Sequence, residues 1–193
     1  MKPKIYSYYE SIQTLPQPEQ FACANAWKES WEKQGWECVM LNRSHAQGSS
    51  LHQKFMQKLM KVSFSLPMDL QHIFPKIAAR YSRWSALHAA GGGWMSDYDV
   101  VNLGLNPSEA FQHEKTLSLV GDEPCYLFFA TREHCAAAIN KFIQEEFLID
   151  SKLRNESDIL AVKDNLSKLS PDLICHVKAT DKPKSEVMAE LVK

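Results

Sequence analysis

Lys4-Ile5-Tyr6-Ser7-Tyr8-Tyr9, the stretch 20–34 and Glu37-Cys38-Val39-Met40-Leu41 together decide the fold class. The first run is rich in β-formers and reads as a strand over 4–9. In 20–34, Phe21, Ala24, Trp27 and Trp31 recur at helical spacing, while Lys28, Glu29, Glu32 and Lys33 fall elsewhere. Gly35 is a stop signal for that helix. Residues 37–41 read as a second strand, and 11–19, with two prolines, as the loop before the helix. Strand, helix, strand is the usual opening of a parallel sheet, so the expected class is α/β.

Working outward, 42–50 is polar with Gly and Ser and reads as loop. Leu51, Phe55, Leu59 and Val62 lie on one face of a helix expected over 51–64. A further helix is expected over 73–90, ending at Gly91-Gly92-Gly93, then an extended run over 94–101. Residues 117–120 and 126–131 are strand-like, and 132–146 look helical. A short helix is expected near 158–169, and 173–178 reads as a last strand or an extended tail. No internal repeat or linker divides the chain, which reads as one domain over 1–193.

The 193 residues, 45% apolar and 23% charged, suit a globular domain with its own core. A formal net charge of -1 leaves no basic excess for a phosphate backbone, so a nucleic-acid partner is not expected. Cys23, Cys38, Cys125, Cys135 and Cys175 form no Cys-x-x-Cys pair; dispersed and odd in number, they suit a reducing cytosol better than a structural zinc site or a disulfide framework. No run reaches the roughly 18 apolar residues of a spanning helix. A soluble, cytoplasmic chain without a membrane span is the expectation.

The segment richest in chemistry is Arg80-Tyr-Ser-Arg83-Trp84-Ser-Ala-Leu87-His-Ala-Ala-Gly91-Gly92-Gly93-Trp94-Met-Ser-Asp97-Tyr98-Asp99. On an extended run, carboxylates at i and i+2 point to one side. They repel unless a cation or water separates them. Mg²⁺ typically takes one or two carboxylates plus substrate phosphates, so Asp97 and Asp99 suit a metal–diphosphate. The glycines allow close backbone approach to a ligand, although a turn is their commoner use. They lack both the Lys-Ser/Thr of a P-loop and dinucleotide-fingerprint spacing.

This segment resembles the Asp-x-Asp sugar transferases of the GT-A fold. That group includes capsular-polysaccharide transferases, initiating α-mannosyltransferases and the large clostridial toxin glucosyltransferases. Their pattern runs Arg-aromatic-x-x-Leu, a spacer, Gly-Gly, an aromatic, then Asp-x-Asp. Arg83-Trp84 with Leu87, Gly91-Gly92, Trp94, and Asp97 with Asp99 match it. Arg80 stands where the family usually has an Asp, and one extra residue separates Trp94 from Asp97. Pro3-Lys4-Ile5 and the Trp-rich helix also sit where the family has similar residues. The resemblance implies a GT-A fold with a single mixed central sheet flanked by helices. It also implies a nucleotide-sugar donor, Mn²⁺ or Mg²⁺ on Asp97 and Asp99, and retention of anomeric configuration.

His176-Val-Lys-Ala-Thr-Asp-Lys182-Pro183 is similar to the late His and Lys-Pro of glycogenin-like transferases, with Ala179 and Lys184 in place of the family's Gly and Trp. The resemblance implies His176 as third metal ligand and Lys182 as a diphosphate contact. Imidazole and ammonium suit those duties. Tyr6, Ser7, Tyr8 and Tyr9 end the first strand, where open sheets bind ligands and where the resembling families hold the base. Arg80 and Arg83 are candidates for phosphate or sugar, Tyr98 for donor contact, and Asp122, Glu123 and Asp158 for acid–base duty. Trp27, Trp31 and Trp36 read as core. The function expected is transfer of a hexose-type sugar from a UDP-sugar to a hydroxyl of a glycan or other acceptor. The alternative is a non-catalytic nucleotide-sugar-binding protein of degenerate transferase fold. A phosphotransferase or nuclease built on the same aspartates is the weaker third class.

Overall fold

The computed structural model describes residues 2–10, 17–65, 74–111, 118–120, 127–144, 167–169, 174–176 and 182–192. The elements are β1 (Lys4–Tyr8), α1 (Gln17–Lys33), β2 (Glu37–Leu41), α2 (Arg43–Gln47), α3 (His52–Ser65), α4 (Phe74–Ala90), β3 (Gly92–Ser96), β4 (Val100–Asn102), α5 (Pro107–Ala110), β5 (Ser118–Val120), β6 (Leu127–Thr131), α6 (Arg132–Gln144), β7 (Ser167–Leu169), β8 (Ile174–His176) and α7 (Lys184–Val192). The main sheet is six-stranded, in the order β2-β1-β3-β6-β5-β7, and β4 and β8 form a separate two-stranded sheet. Strands β2, β1 and β3 run parallel; β6 is antiparallel to both β3 and β5. The α/β class expected from the opening elements is therefore present, with a mixed main sheet.

Alternation along the central strands builds two cores, one on each face. Ile5, Trp94, Leu127 and Phe129 join Trp27, Trp31 and Trp36 on the face covered by α1 and α7. Tyr6, Met95, Phe128 and Ala130 join Phe55, Leu59, Trp84, Leu87 and Phe142 on the face covered by α3, α4 and α6. Trp27, Trp31 and Trp36 are each at most 1% exposed, so their reading as core holds.

Helix α1 ends as its glycine foretells. Gly35 has φ 93°, its N–H donates to Glu32 O at 3.0 Å, and Trp36 N–H reaches Trp31 O at 3.2 Å. That pair of bonds is a Schellman cap, which satisfies otherwise orphaned carbonyls. The glycines after α4 serve the sheet. Gly92 has φ 89°, and a Cβ there would lie 2.7 Å from Ala130 O and Arg132 N. A Cβ on Gly93 would lie 2.9 Å from the Tyr6 ring. Both open β3, at the opposite end from Asp97, so the close approach they allow is to protein, not to a ligand there.

Four expectations change. Residues 43–47 form α2 rather than loop, because Asn42 caps it: Asn42 Oδ1 accepts from Ser44 N–H and His45 N–H, and Asn42 N–H donates to His45 Nδ1. This is a capping box with His in place of the usual Glu or Gln. The extended run does not reach 101. It stops at Ser96, and Val100 N–H donates to Asp97 O at 3.2 Å, closing a turn. Residues 167–169 pair with β5 as strand rather than continuing a helix; 158–166 lie outside the described residues. Helix α7 is additional, and it buries Met188 and Val192 one turn apart.

Candidate functional site

The turn carrying Asp97, Tyr98 and Asp99 is held through the residues at its two ends. Trp27 Nε1 donates to Ser96 Oγ at 2.7 Å, and Trp31 Nε1 to Val100 O at 3.2 Å. Trp27 and Trp31 are neighbours on one face of α1, so a single helical turn grips both flanks of the acidic turn. The same helix continues the grip: Asn102 N–H donates to Ser30 Oγ at 3.1 Å. Beyond its cap, Trp36 Nε1 donates to Leu105 O at 2.9 Å.

The carboxylates are met from two other elements. Arg83 of α4 donates from Nη1 to Asp97 Oδ1 at 2.8 Å, and its guanidinium carbon lies 5.4 Å from the Phe128 ring centre. Lys184 of α7 donates from Nζ to Asp99 Oδ2 at 2.6 Å. The Arg83 side chain is 7% exposed and that of Asp97 37%; those of Lys184 and Asp99 are 31% and 15% exposed.

Arg83, Asp97 and Asp99 border a cavity of about 240 Å³, whose lining does not include Lys184. Tyr8 and Glu10 enter it from the end of β1, Gln20 from α1, Arg80 and Arg83 from α4, and Ser96 to Asp99 from the end of β3. Strands β1 and β3 are parallel neighbours, and β2 lies on the far side of β1. The cavity therefore opens at the carboxyl ends of two parallel strands where the strand order reverses, the usual ligand crevice of open α/β sheets.

Burial, reinforced first by Asp99, pushes the Tyr98 phenol up to about 12. Burial and then the hydrogen bond to Glu10 hold Tyr8 well above its ordinary value; that bond is 2.8 Å long. Both phenols stay protonated at neutral pH; the Tyr8 O–H is committed to Glu10, and that of Tyr98 can donate to an anionic ligand. Cys23 is raised to about 11, first by burial and then by Glu19 and Asp99, so it presents a thiol rather than a soft thiolate. The donor set at the turn is hard oxygen. Among the described residues no three His, Cys, Asp or Glu side chains come together to hold a metal ion. Asp97 and Asp99 are the groups that could hold a cation there, as the hard oxygen ligands Mg²⁺ takes alongside phosphate.

The sequence candidates separate clearly. Tyr8, Arg80, Arg83, Asp97, Tyr98 and Asp99 converge on the cavity. Tyr6 and Ser7, 8% and 0% exposed, lie in the core and do not line it; Tyr6 fills the space left by Gly93. Lys182 is exposed and donates to Glu190 on α7 at 3.0 Å, outside the cavity lining. Strand β8 lays His176 opposite Val100, the residue after Asp99, but its side chain lies outside the described residues. Asp122, Glu123 and Asp158 lie outside them too. Sequence reasoning missed Lys184, Glu10 and Gln20. The only signal for Lys184 was its place two residues beyond Lys182 in the late motif. Comparison with protein-family models, with curated proteins and with solved structures returns no match.

Proposed function

We propose that this chain is a metal-dependent glycosyltransferase of GT-A type, moving a hexose-type sugar from a UDP-sugar to a hydroxyl of a glycan or other acceptor. One observation carries the reading. Both carboxylates of an Asp-x-Asp turn border a crevice at the carboxyl ends of parallel strands, alongside two arginines. The resemblance around Arg83, Trp94 and Asp97 supports the same reading.

Asp97 and Asp99 would hold Mn²⁺ or Mg²⁺, which supplies Lewis-acid neutralisation of a departing diphosphate when bound. The chain's own groups do the rest. Arg80, exposed at the rim, and Arg83 offer planar cationic donors suited to phosphate oxygens. The protonated phenol of Tyr98 offers a neutral donor to the nucleotide or sugar, while Tyr8, whose O–H is donated to Glu10, offers its ring and an acceptor oxygen. Tryptophan bonds hold the turn before a ligand arrives, which lowers the ordering cost of binding.

The test is hydrolysis or transfer of a panel of UDP-sugars with Mn²⁺, comparing the native chain with Asp99→Ala. Complete loss of Mn²⁺-dependent turnover is expected. Equal turnover by the variant sinks the reading. The engagement of both carboxylates by Arg83 and Lys184 favours a second reading, a non-catalytic nucleotide-sugar-binding protein. Mn²⁺-dependent UDP binding with no cleavage of any donor would select it.

A further inference from the structure

The two cations at the acidic turn are held differently, and the difference assigns them different duties. Arg83 is buried, rooted in the middle of α4, and stacked near Phe128. Lys184 is a third exposed and reaches Asp99 on a flexible stem from the first residue of α7.

Helix α7 does not need that contact to stay in place. Glu19 of α1 accepts the Lys184 backbone N–H at 3.0 Å, capping the start of α7. Lys33, at the other end of α1, donates to Val192 O at 3.0 Å. Between those ends Met188, 0% exposed, and Val192, 8% exposed, pack into the tryptophan core. The helix is anchored at both ends and along its inner face, so the Lys184 ammonium can leave Asp99 while α7 stays put.

Charge counting gives the ammonium somewhere to go. The two ion pairs, Arg83 with Asp97 and Lys184 with Asp99, are each formally neutral. A divalent cation and a doubly charged diphosphate arrive as a second neutral set. The carboxylates suit the metal and the ammonium and guanidinium suit the diphosphate, so loading requires an exchange of partners rather than a change of net charge.

We propose that Lys184 is a resident counter-ion of the site. It occupies Asp99 until a divalent cation takes that carboxylate, then turns to the diphosphate of the nucleotide. The idea rests on the transferase reading of the same cavity. It gives Lys184 two effects of opposite sign: competition with the metal alone, and support for the metal–nucleotide pair. A merely structural lysine has neither.

The test is isothermal titration on the full chain, first with MnCl2 alone and then with UDP at saturating Mn²⁺. The native chain is compared with Lys184→Met, which keeps the stem, and with Lys184→Arg, which keeps the charge. Lys184→Met should bind Mn²⁺ alone about tenfold more tightly and UDP about tenfold more weakly. Lys184→Arg should keep UDP affinity within about threefold of native, and Lys184→Gln, which also removes the charge, serves as the measurement should Lys184→Met fail to fold. Unchanged affinities in Lys184→Met, or weakening of both, overturn the proposal. A native chain that takes up neither Mn²⁺ nor UDP sinks the transferase reading instead. Native binding with an indifferent Lys184→Met sinks only the exchange.

Discussion

The acidic turn is gripped in two ways, by different chemistry. On the α1 side, indole N–H groups hold the residues flanking the aspartates, through buried bonds at 2.7 and 3.2 Å. From α4 on one face of the sheet and α7 on the other, cations hold the carboxylates themselves, in part-exposed pairs. The first grip belongs to the dry core, where a lost donor leaves a buried acceptor unsatisfied. In the second, Asp97 and Lys184 are each about a third exposed, and a pair with one partly hydrated member contributes less to stability and can be exchanged. The molecule thus separates holding the site in shape from charging it.

Substitutions in the two grips should give opposite signatures. Trp31→Ala is expected to have the largest effect on stability, a loss of about 3–5 kcal/mol, because it opens a cavity beneath the turn. Urea denaturation measures it, and a loss below about 1 kcal/mol would break the comparison. Gly92→Ala, at the far end of β3, should cost at least about 2 kcal/mol, since neither its φ nor the adjacent backbone accepts a Cβ. The folded fraction of that variant should still bind Mn²⁺ and UDP with native affinity, a way to separate fold from site.

Trp27→Phe removes the indole donor to Ser96 and keeps most of the bulk. Its stability should fall by only about 1 kcal/mol, while UDP affinity in Mn²⁺ falls because the turn loses one anchor. Arg83→Met should change stability by about 1 kcal/mol or less, since Asp97 is left partly hydrated, yet it should bind UDP poorly. If Arg83→Met instead unfolds the chain, the charged grip is structural and the contrast disappears.

The smallest effect concerns pH. Burial lowers His52 and His88, which are 7% and 6% exposed; the Nδ1 of His88 lies 3.0 Å from Ser49 Oγ. A histidine held below its ordinary value binds protons more weakly folded than unfolded. Its stabilising contribution is therefore complete above about pH 6.5 and drains as the pH falls toward the folded values. The melting temperature should drop between pH 7 and pH 5, and the double variant His52→Gln, His88→Gln should flatten that drop. An equally steep drop in the variant would assign the acid sensitivity elsewhere.

Local signals were enough for much of the fold. The run of β-formers in β1, the tryptophan spacing of α1, Gly35 at its end and β2 over 37–41 all depend on neighbours within a few residues, and the sequence places them. The Asn42 cap was missed because its partner at the third helical position is His45, outside the usual signature. Helix α7 was missed because its core contacts come from distant elements.

From the sequence alone came the α/β class and the order of the early elements, whereas Arg83, read as a phosphate or sugar group, was paired with Asp97 only by the structure. The tertiary structure alone decided which lysine reaches the site and which residues of β1 face it. Lys184 meets Asp99 across 85 residues, and Trp27 meets Ser96 across 69. No period or motif encodes such partners, because which side chain fills a given gap is set by packing among elements remote in sequence. Tyr6 and Ser7 look like ligand groups in the chain and are core in the fold, since the pleat of β1 and the space above Gly93 turn them inward.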